Sequence, residues 1–228
     1  MTLASTPLKA ANDWGGSVAL SSDYYVRGIS RTGDQAALQL DLHYSSPSGF
    51  LAGAFASNSQ NAPSEQREVE LSGFIGYAWN VSDEWRGKIF ANHYAYPWNH
   101  ASAHYDYDEL DFDLAYQGWL HLSVGYSPNS PRYLAAPYRR HISVMEKSAE
   151  VSLQRQIFGR FSVTAGVGYS FLEGPESGGY TYWSGGAAYD YRSIILAVSY
   201  VKSTAEAKAL FYSAAATGEW TGTVIWRF

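Results

Sequence analysis

Apolar and polar residues alternate along almost the whole chain. Leu38, Leu40, Leu42 and Tyr44 interleave with Gln39, Asp41 and His43. Val69, Leu71, Gly73, Ile75, Tyr77 and Trp79 interleave with Glu68, Glu70, Ser72 and Gly76. The same pattern runs through Leu110, Phe112, Leu114 and Tyr116, set against Glu109, Asp111 and Asp113, and through Phe161 to Phe171. Period two puts successive side chains on opposite faces of a strand, and no segment of comparable length carries a helical stripe. The pattern predicts about twelve strands of roughly ten residues, the length that crosses a bilayer when tilted. They fall near 14–26, 35–45, 49–58, 67–79, 84–96, 105–116, 119–127, 142–155, 160–172, 180–190, 193–203 and 217–228.

The connections sort into two kinds. Ser45-Ser46-Pro47-Ser48, Asn80-Val81-Ser82-Asp83, Gln117-Gly118, Ile157-Phe158-Gly159 and Tyr191-Arg192 are short. Long ones, at 27–34, 59–66, 97–104, 128–141, 173–179 and 204–216, come between them. Strict alternation puts every long connection at one end. Outer-membrane barrels do this, with tight periplasmic turns and long extracellular loops, whereas a soluble sandwich has no reason to. The expected fold is a transmembrane up-and-down antiparallel β-barrel over 14–228, preceded by a periplasmic N-terminal segment over 1–13.

Composition sharpens this picture. The 228 residues include 46% hydrophobic and 16% aromatic residues, no cysteine and a formal net charge of −5. A net-acidic chain without a basic block is not a nucleic-acid binder. No run of 18 apolar residues occurs, so no helix spans a membrane; a mean hydropathy of −0.25 suits a barrel whose two faces average out. No signal peptide is evident after Met1, so the chain is either cytosolic or a mature form with an added Met; with the barrel pattern, the expected location is integral to the bacterial outer membrane. The aromatics are expected in two interfacial belts. One holds Trp14, Trp79, Trp85, Trp220, Trp226 and Phe228; the other holds Tyr24, Tyr94, Tyr96, Trp98, Tyr126, Phe171, Tyr180 and Trp183.

If the Leu/Val/Tyr register faces lipid, the opposite register faces the lumen. It carries Asp23, Asp41, Glu68, Glu70, Glu109, Asp111, Asp113 and Glu150 against Arg86, Lys88 and Arg227. A lipid-facing Arg or Lys at the midplane would cost about 2–4 kcal/mol, which explains the segregation. The ladder Glu109, Asp111, Asp113 lies one strand from Arg86 and Lys88, a wall able to orient a polar solute or select cations. Alternatively these charges plug a narrow lumen with salt bridges.

Chemistry is less well supported. His121 and Ser123, with Glu150 on the next strand, would make an outer-membrane lipid hydrolase. Residues two apart on a strand are roughly 6–7 Å apart, however, which favours a lumenal polar filler and a protein that is not an enzyme. His100, His104, Asp106 and Asp108 could hold a metal, but a solvated loop fits their spacing better; no metal or cofactor is expected. Arg139 and Arg140, with Arg132, Tyr133, Tyr138 and His141, form a basic-aromatic outer loop suited to clamping lipopolysaccharide or attracting anions.

Two terminal features remain. The stretch Thr221 to Phe228 alternates and ends on an aromatic, which resembles the signal read by the barrel-assembly machinery. Near the N-terminus, Ser22-Asp23-Tyr24-Tyr25-Val26-Arg27-Gly28-Ile29-Ser30-Arg31-Thr32 is followed by Gln39, His43-Tyr44 and Gly49-Phe50-Leu51-Ala52-Gly53-Ala54-Phe55-Ala56-Ser57-Asn58. This resembles the Gcw_chp family of proteobacterial outer-membrane-type barrels, with departures at Ala36 and Leu40-Asp41. The resemblance implies fold and location and supplies no mechanism. In the Arg27-Gly28-Ile29-Ser30 turn, Gly28 allows a positive φ. Arg27 and Arg31 are expected at the outer rim, the loop either meeting lipopolysaccharide phosphates or folding into the lumen. The functional expectation is a channel for small polar or cationic solutes, the solute itself unidentified. The alternatives are the hydrolase and a structural barrel with a closed lumen.

Overall fold

In hydrocarbon every backbone N–H and C=O must find a partner within the protein, and an alternating chain can satisfy that only by closing its sheet. The protein does so. A computed structural model describes residues 13–60, 68–98, 105–134, 140–174, 177–211 and 215–228. Its strands are β1 (Asp13–Ser21), β2 (Tyr25–Val26), β3 (Ile29–Ser30), β4 (Ala37–Ser45), β5 (Phe50–Ser59), β6 (Glu68–Asn80), β7 (Trp85–Ala95), β8 (Tyr107–Tyr116), β9 (Leu120–Leu134), β10 (Arg140–Phe158), β11 (Phe161–Glu173), β12 (Gly178–Tyr191), β13 (Ile194–Ser203) and β14 (Glu219–Arg227). A short helix, α1 (Ala205–Phe211), lies between β13 and β14. Twelve of the strands form one closed antiparallel barrel in sequence order, sealed where β1 pairs with β14; β2 and β3 make a separate hairpin. The terminal residue extends the seam, since the Phe228 N–H donates to the Gly16 carbonyl at 3.0 Å and the Gly16 N–H to the Phe228 carbonyl at 3.1 Å.

The side-chain register is the expected one. Leu38, Leu40, Leu42, Leu71, Ile75, Leu110, Phe112, Val124, Val151, Leu153 and Val167 are exposed around the outside, while Asp41, Glu68, Glu70 and Glu109 are buried inside. This inverts a soluble core, as a lipid solvent requires.

Three expectations need correction. The first strand ends at Ser21 rather than at 26, and residues 22–36 (L1) turn inward and carry the β2–β3 hairpin. The segment 128–141, read as a long loop, largely continues β9 and β10, whose pairing runs on to Arg140↔Leu134. Pro128 and Pro131 mimic a turn, but they sit beside a register shift between Val144 and Glu146, where a missing ladder donor is tolerated. The aromatic belts are also partly reassigned. Trp220, 69% exposed, pairs with Tyr200 near the long-loop end rather than the short-turn end, because β14 enters the wall from the loop after α1. Tyr96 and Tyr180, only 4% and 2% exposed, leave the outer belt for the lumen, and Tyr94 shares that inward register opposite Ser72. The short-turn girdle is retained. Trp14–Tyr44, Trp85–Tyr116, Phe158–Phe161, Phe161–Tyr189 and Trp226–Phe228 are ring pairs with centroids 4.8–5.2 Å apart.

Val167 lies halfway along β11 on the outside. Val167→Arg is expected to destabilise the barrel by about 2–4 kcal/mol, measured by denaturant titration of tryptophan fluorescence in phospholipid vesicles. A cost near zero would place that face in water.

Candidate functional site in the lumen

L1 is held in its inward course by Asp23. The Asp23 Oδ1 accepts from the Tyr24 N–H at 2.6 Å, the Ser30 hydroxyl at 2.8 Å and the Thr32 hydroxyl at 2.5 Å. A short acidic side chain surrounded by backbone and hydroxyl donors stabilises a tight turn in this way. The β2–β3 hairpin it folds is then docked against the wall and the loop above. The Ala216 N–H donates to the Gly28 carbonyl at 2.9 Å, and Ile29 makes an isolated bridge to Ala215. Ile29 packs with Val144, Leu172, Tyr180, Tyr182, Ala207, Leu210 and Ala215 in one buried apolar cluster. Gly28 has φ +76°, and a Cβ there would stand 2.8 Å from the Tyr182 Cβ, so conformation and space both require glycine.

From this docked hairpin Arg27 reaches across the lumen to β8 and β10. Its guanidinium pairs with Glu109 and with Glu146 at 3.2 Å, and lies 3.9 Å from Asp111. Glu146 also accepts the Ser130 and Ser170 hydroxyls at 2.7 and 2.8 Å. Asp111 accepts from the Asn92 amide at 2.7 Å. Gly125 makes room for the guanidinium, since a Cβ there would lie 2.8 Å from the Arg27 Nη2 and 2.6 Å from the Glu109 Oε1. Burial opposes the charge on Arg27, but Glu109 and Glu146 outweigh it and raise its pKa above the ordinary guanidinium value.

The second arginine of L1 also turns inward. Arg31 lies within electrostatic reach of Tyr107, Tyr96, Glu70 and Tyr24. Glu70 is itself buried and accepts the Tyr96 hydroxyl at 2.6 Å and the Tyr24 hydroxyl at 3.4 Å. Tyr94 and Tyr107 stack with centroids 4.4 Å apart beside this group. The outer-rim placement of Arg27 and Arg31 is therefore corrected: both point into the barrel.

L1 narrows the lumen without filling it. Cavities of about 220 and 360 Å³ lie beside it. The first is lined by Arg86, Lys88, Asp113, His121 and Glu150, the second by Asn92, Asp111, Asp113, Ser123 and Glu150; Arg27 and Tyr182 border both.

The acidic ladder and the two bases do not face each other rung for rung. Lys88 is opposite Asp113, but Arg86 is opposite Ala115, Asp111 opposite Phe90 and Glu109 opposite Asn92. The upper carboxylates are answered by Arg27 instead. Asp41 lies apart, accepting from His43 Nδ1 at 2.7 Å, and Glu68 is buried at the long-loop end of β6. Glu146 was overlooked in the sequence, although it precedes Ser148 and Glu150 in the same alternating register; the adjacent bulge hides it.

The hydrolase arrangement is not assembled. The His121 ring has the Gly118 carbonyl as its partner at 3.3 Å, and Glu150 pairs in register with Ser123 rather than His121. His100 and His104 lie outside the described residues. Asp106 accepts from the Tyr96 N–H at 2.9 Å and Asp108 from His93 Nδ1 at 2.8 Å. Among the described residues no group of three or more His, Cys, Asp or Glu could hold a metal. Arg139 lies outside the described residues, and Arg140 opens β10.

Comparison with known proteins agrees with this architecture. A family profile described as "Bacterial protein of unknown function (Gcw_chp)" matches residues 7–227. No curated protein matches the chain significantly. Among solved structures, the NanC porin superposes with a TM-score of 0.60 at 9% identity, covering 93% of this chain and 98% of that one. The KdgM porin gives 0.56 at 8% identity, with 94% and 99% covered. LpxR from Salmonella typhimurium gives 0.51 at 10% identity, with 93% and 99% covered. At such identities the likeness is one of fold, the fold of outer-membrane β-barrels.

Asp23→Ala removes a charged acceptor from three donors. It is expected to cost L1 about 2–3 kcal/mol of local stability, read as faster amide hydrogen exchange across residues 24–32 with exchange in β10 and β11 unchanged. Equal protection in both proteins would mean that the apolar docking alone holds the loop.

Proposed function

Since the chain belongs to the Gcw_chp family, bacterial proteins described as of unknown function, we propose its role from its own lumen: an outer-membrane channel for small polar or cationic solutes. The observation that carries this reading is the unfilled lumen beside L1, where Asp111, Asp113 and Glu150 line the space against Arg86 and Lys88. Arg27 pairs with Glu109 and Glu146 and lies 3.9 Å from Asp111, Arg31 lies near Glu70, and we take the remaining interior to be net acidic. Carboxylate rings in a narrow, low-dielectric passage raise the local concentration of cations and repel anions. Glu70, Glu68 and Asp41 add to the same field from the β4–β6 wall. The likeness in fold to the NanC and KdgM porins supports a conducting barrel, and the short-turn end is then periplasmic.

Arg27 has a distinct part in this scheme. Its side chain crosses the lumen from L1 to β8 and β10, so it narrows the passage and lowers the negative potential at that point. Smaller solutes pass beside it through the space bordered by Tyr182 and Asp113.

Single-channel recording in planar bilayers under a salt gradient tests the proposal. The native protein is expected to conduct with cation preference, and Asp111→Asn with Asp113→Asn to shift the reversal potential toward zero. An unchanged reversal potential would remove these residues from the selectivity region, and a silent native protein would favour the closed structural barrel.

Arg27→Ala, recorded in the same way, is expected to raise conductance and strengthen cation preference, because it both widens the passage and unmasks Glu109 and Glu146. A conductance equal to the native value would mean that solutes take a route away from L1.

A further inference from the structure

A second electrostatic feature lies outside the lumen, on the lipid-facing side of the short-turn rim. Arg155 shares the outward register of Val151 and Leu153 and pairs with Val163 on β11. Arg160 and Arg192 stand in the two neighbouring turns, between β10 and β11 and between β12 and β13. Both approach one ring: their guanidinium carbons lie 5.0 and 5.4 Å from the Tyr191 centroid. The ring's negative face attracts each cation, yet two guanidinium groups on one ring repel each other, and an anion is what such an arrangement lacks. Asp190, the residue before Tyr191 in the chain, is engaged by Arg227 at 2.6 Å. Among the described residues none of the three arginines has a carboxylate partner.

The surroundings define what anion fits. Phe158, Phe161 and Tyr191 are exposed beside the arginines, and Val163, Val167, Leu153, Ile194 and Leu196 form an exposed apolar wall above them. The opposite side of the rim is different in sign, with Asp83 and Glu84 in the turn between β6 and β7. A ligand complementary to this face has a phosphate at the rim and hydrocarbon running up the wall. Arg binds phosphate through its planar fork more specifically than Lys does.

We propose that Arg160 and Arg192, which meet at the Tyr191 ring, form a binding site for the headgroup of an anionic phospholipid in the periplasmic leaflet, with Arg155 adding positive charge from the outer face of β10. This rests on the membrane placement of the barrel and not on its conducting.

Native mass spectrometry of the full chain, released from mixed micelles, tests it. Phosphatidylglycerol is the anionic probe and phosphatidylcholine the zwitterionic one, with Arg160→Gln/Arg192→Gln as the variant. The native protein is expected to retain phosphatidylglycerol roughly tenfold better than phosphatidylcholine, and the variant to lose that preference. Millimolar inorganic phosphate should not displace the lipid. Equal retention by variant and native protein, or no preference for the anionic lipid, overturns the proposal; displacement by phosphate alone would make the site one for a free anion. Heat-modifiable gel mobility confirms that the variant barrel is folded, and its unchanged conductance would separate this site from the channel.

Discussion

Closure of the sheet is the constraint on which everything else depends. A barrel of twelve strands satisfies its backbone in lipid without help from side chains. It also encloses more width than its own inward side chains fill, because small barrels of about eight strands are the ones that pack solid. The interior must therefore be occupied by water, by a loop, or by both. Here a loop enters, folded on its own Asp23 and met at Arg27 by carboxylates of the wall.

That meeting is arranged as a desolvated cation facing several anions. An isolated buried charge is costly, and one removed partner leaves the others exposed to that cost. Arg27 and the carboxylates of β8 and β10 are thus mutually dependent: neither the loop nor the wall is electrostatically complete alone. Serine hydroxyls on Glu146 and the Asn92 amide on Asp111 take up the lone pairs that the guanidinium does not reach. The apolar cluster around Ile29 supplies the non-directional part of the docking, while the ion pairs set its position.

The fold was legible in the chain because two signals agreed, period-two alternation and the alternation of short and long connections. The lumenal register of Glu70, Glu109, Asp111 and Asp113 followed directly from parity. What parity could not reveal was the path of a chain that leaves the sheet. Residues 22–26 have enough aromatic and β-branched character to pass for strand, and only the tertiary meeting of Asp23 with Ser30 and Thr32 shows that they turn inward. Arg27 therefore had two equally physical destinations, rim or lumen, and the choice was made by carboxylates more than 80 residues away in sequence. The tyrosines illustrate the same limit. Tyr96 and Tyr180 have the chemistry of an interfacial belt, yet their parity with Asn92 and Tyr182 assigns them inward, where Glu70 and the docked hairpin receive them. A proline-rich segment, Pro128 to Pro131, read as a loop because its turn chemistry is strong, and the bulge that accommodates it is invisible without the partner strand.

The seam between β1 and β14 spans five paired positions, from Ser17↔Arg227 to Ser21↔Thr223, against nine between β1 and β4. L1 leaves the barrel wall on one side of that seam, and the loop carrying Ala215 and Ala216 enters it on the other. The clasp from Gly28 and Ile29 to those residues therefore joins the two chain ends of the sheet across their shortest ladder. The hairpin thus has no complete dock until the first and last strands have met. The same clasp ties L1 to barrel closure, since opening the seam would also strip the hairpin of its contacts to Ala215 and Ala216.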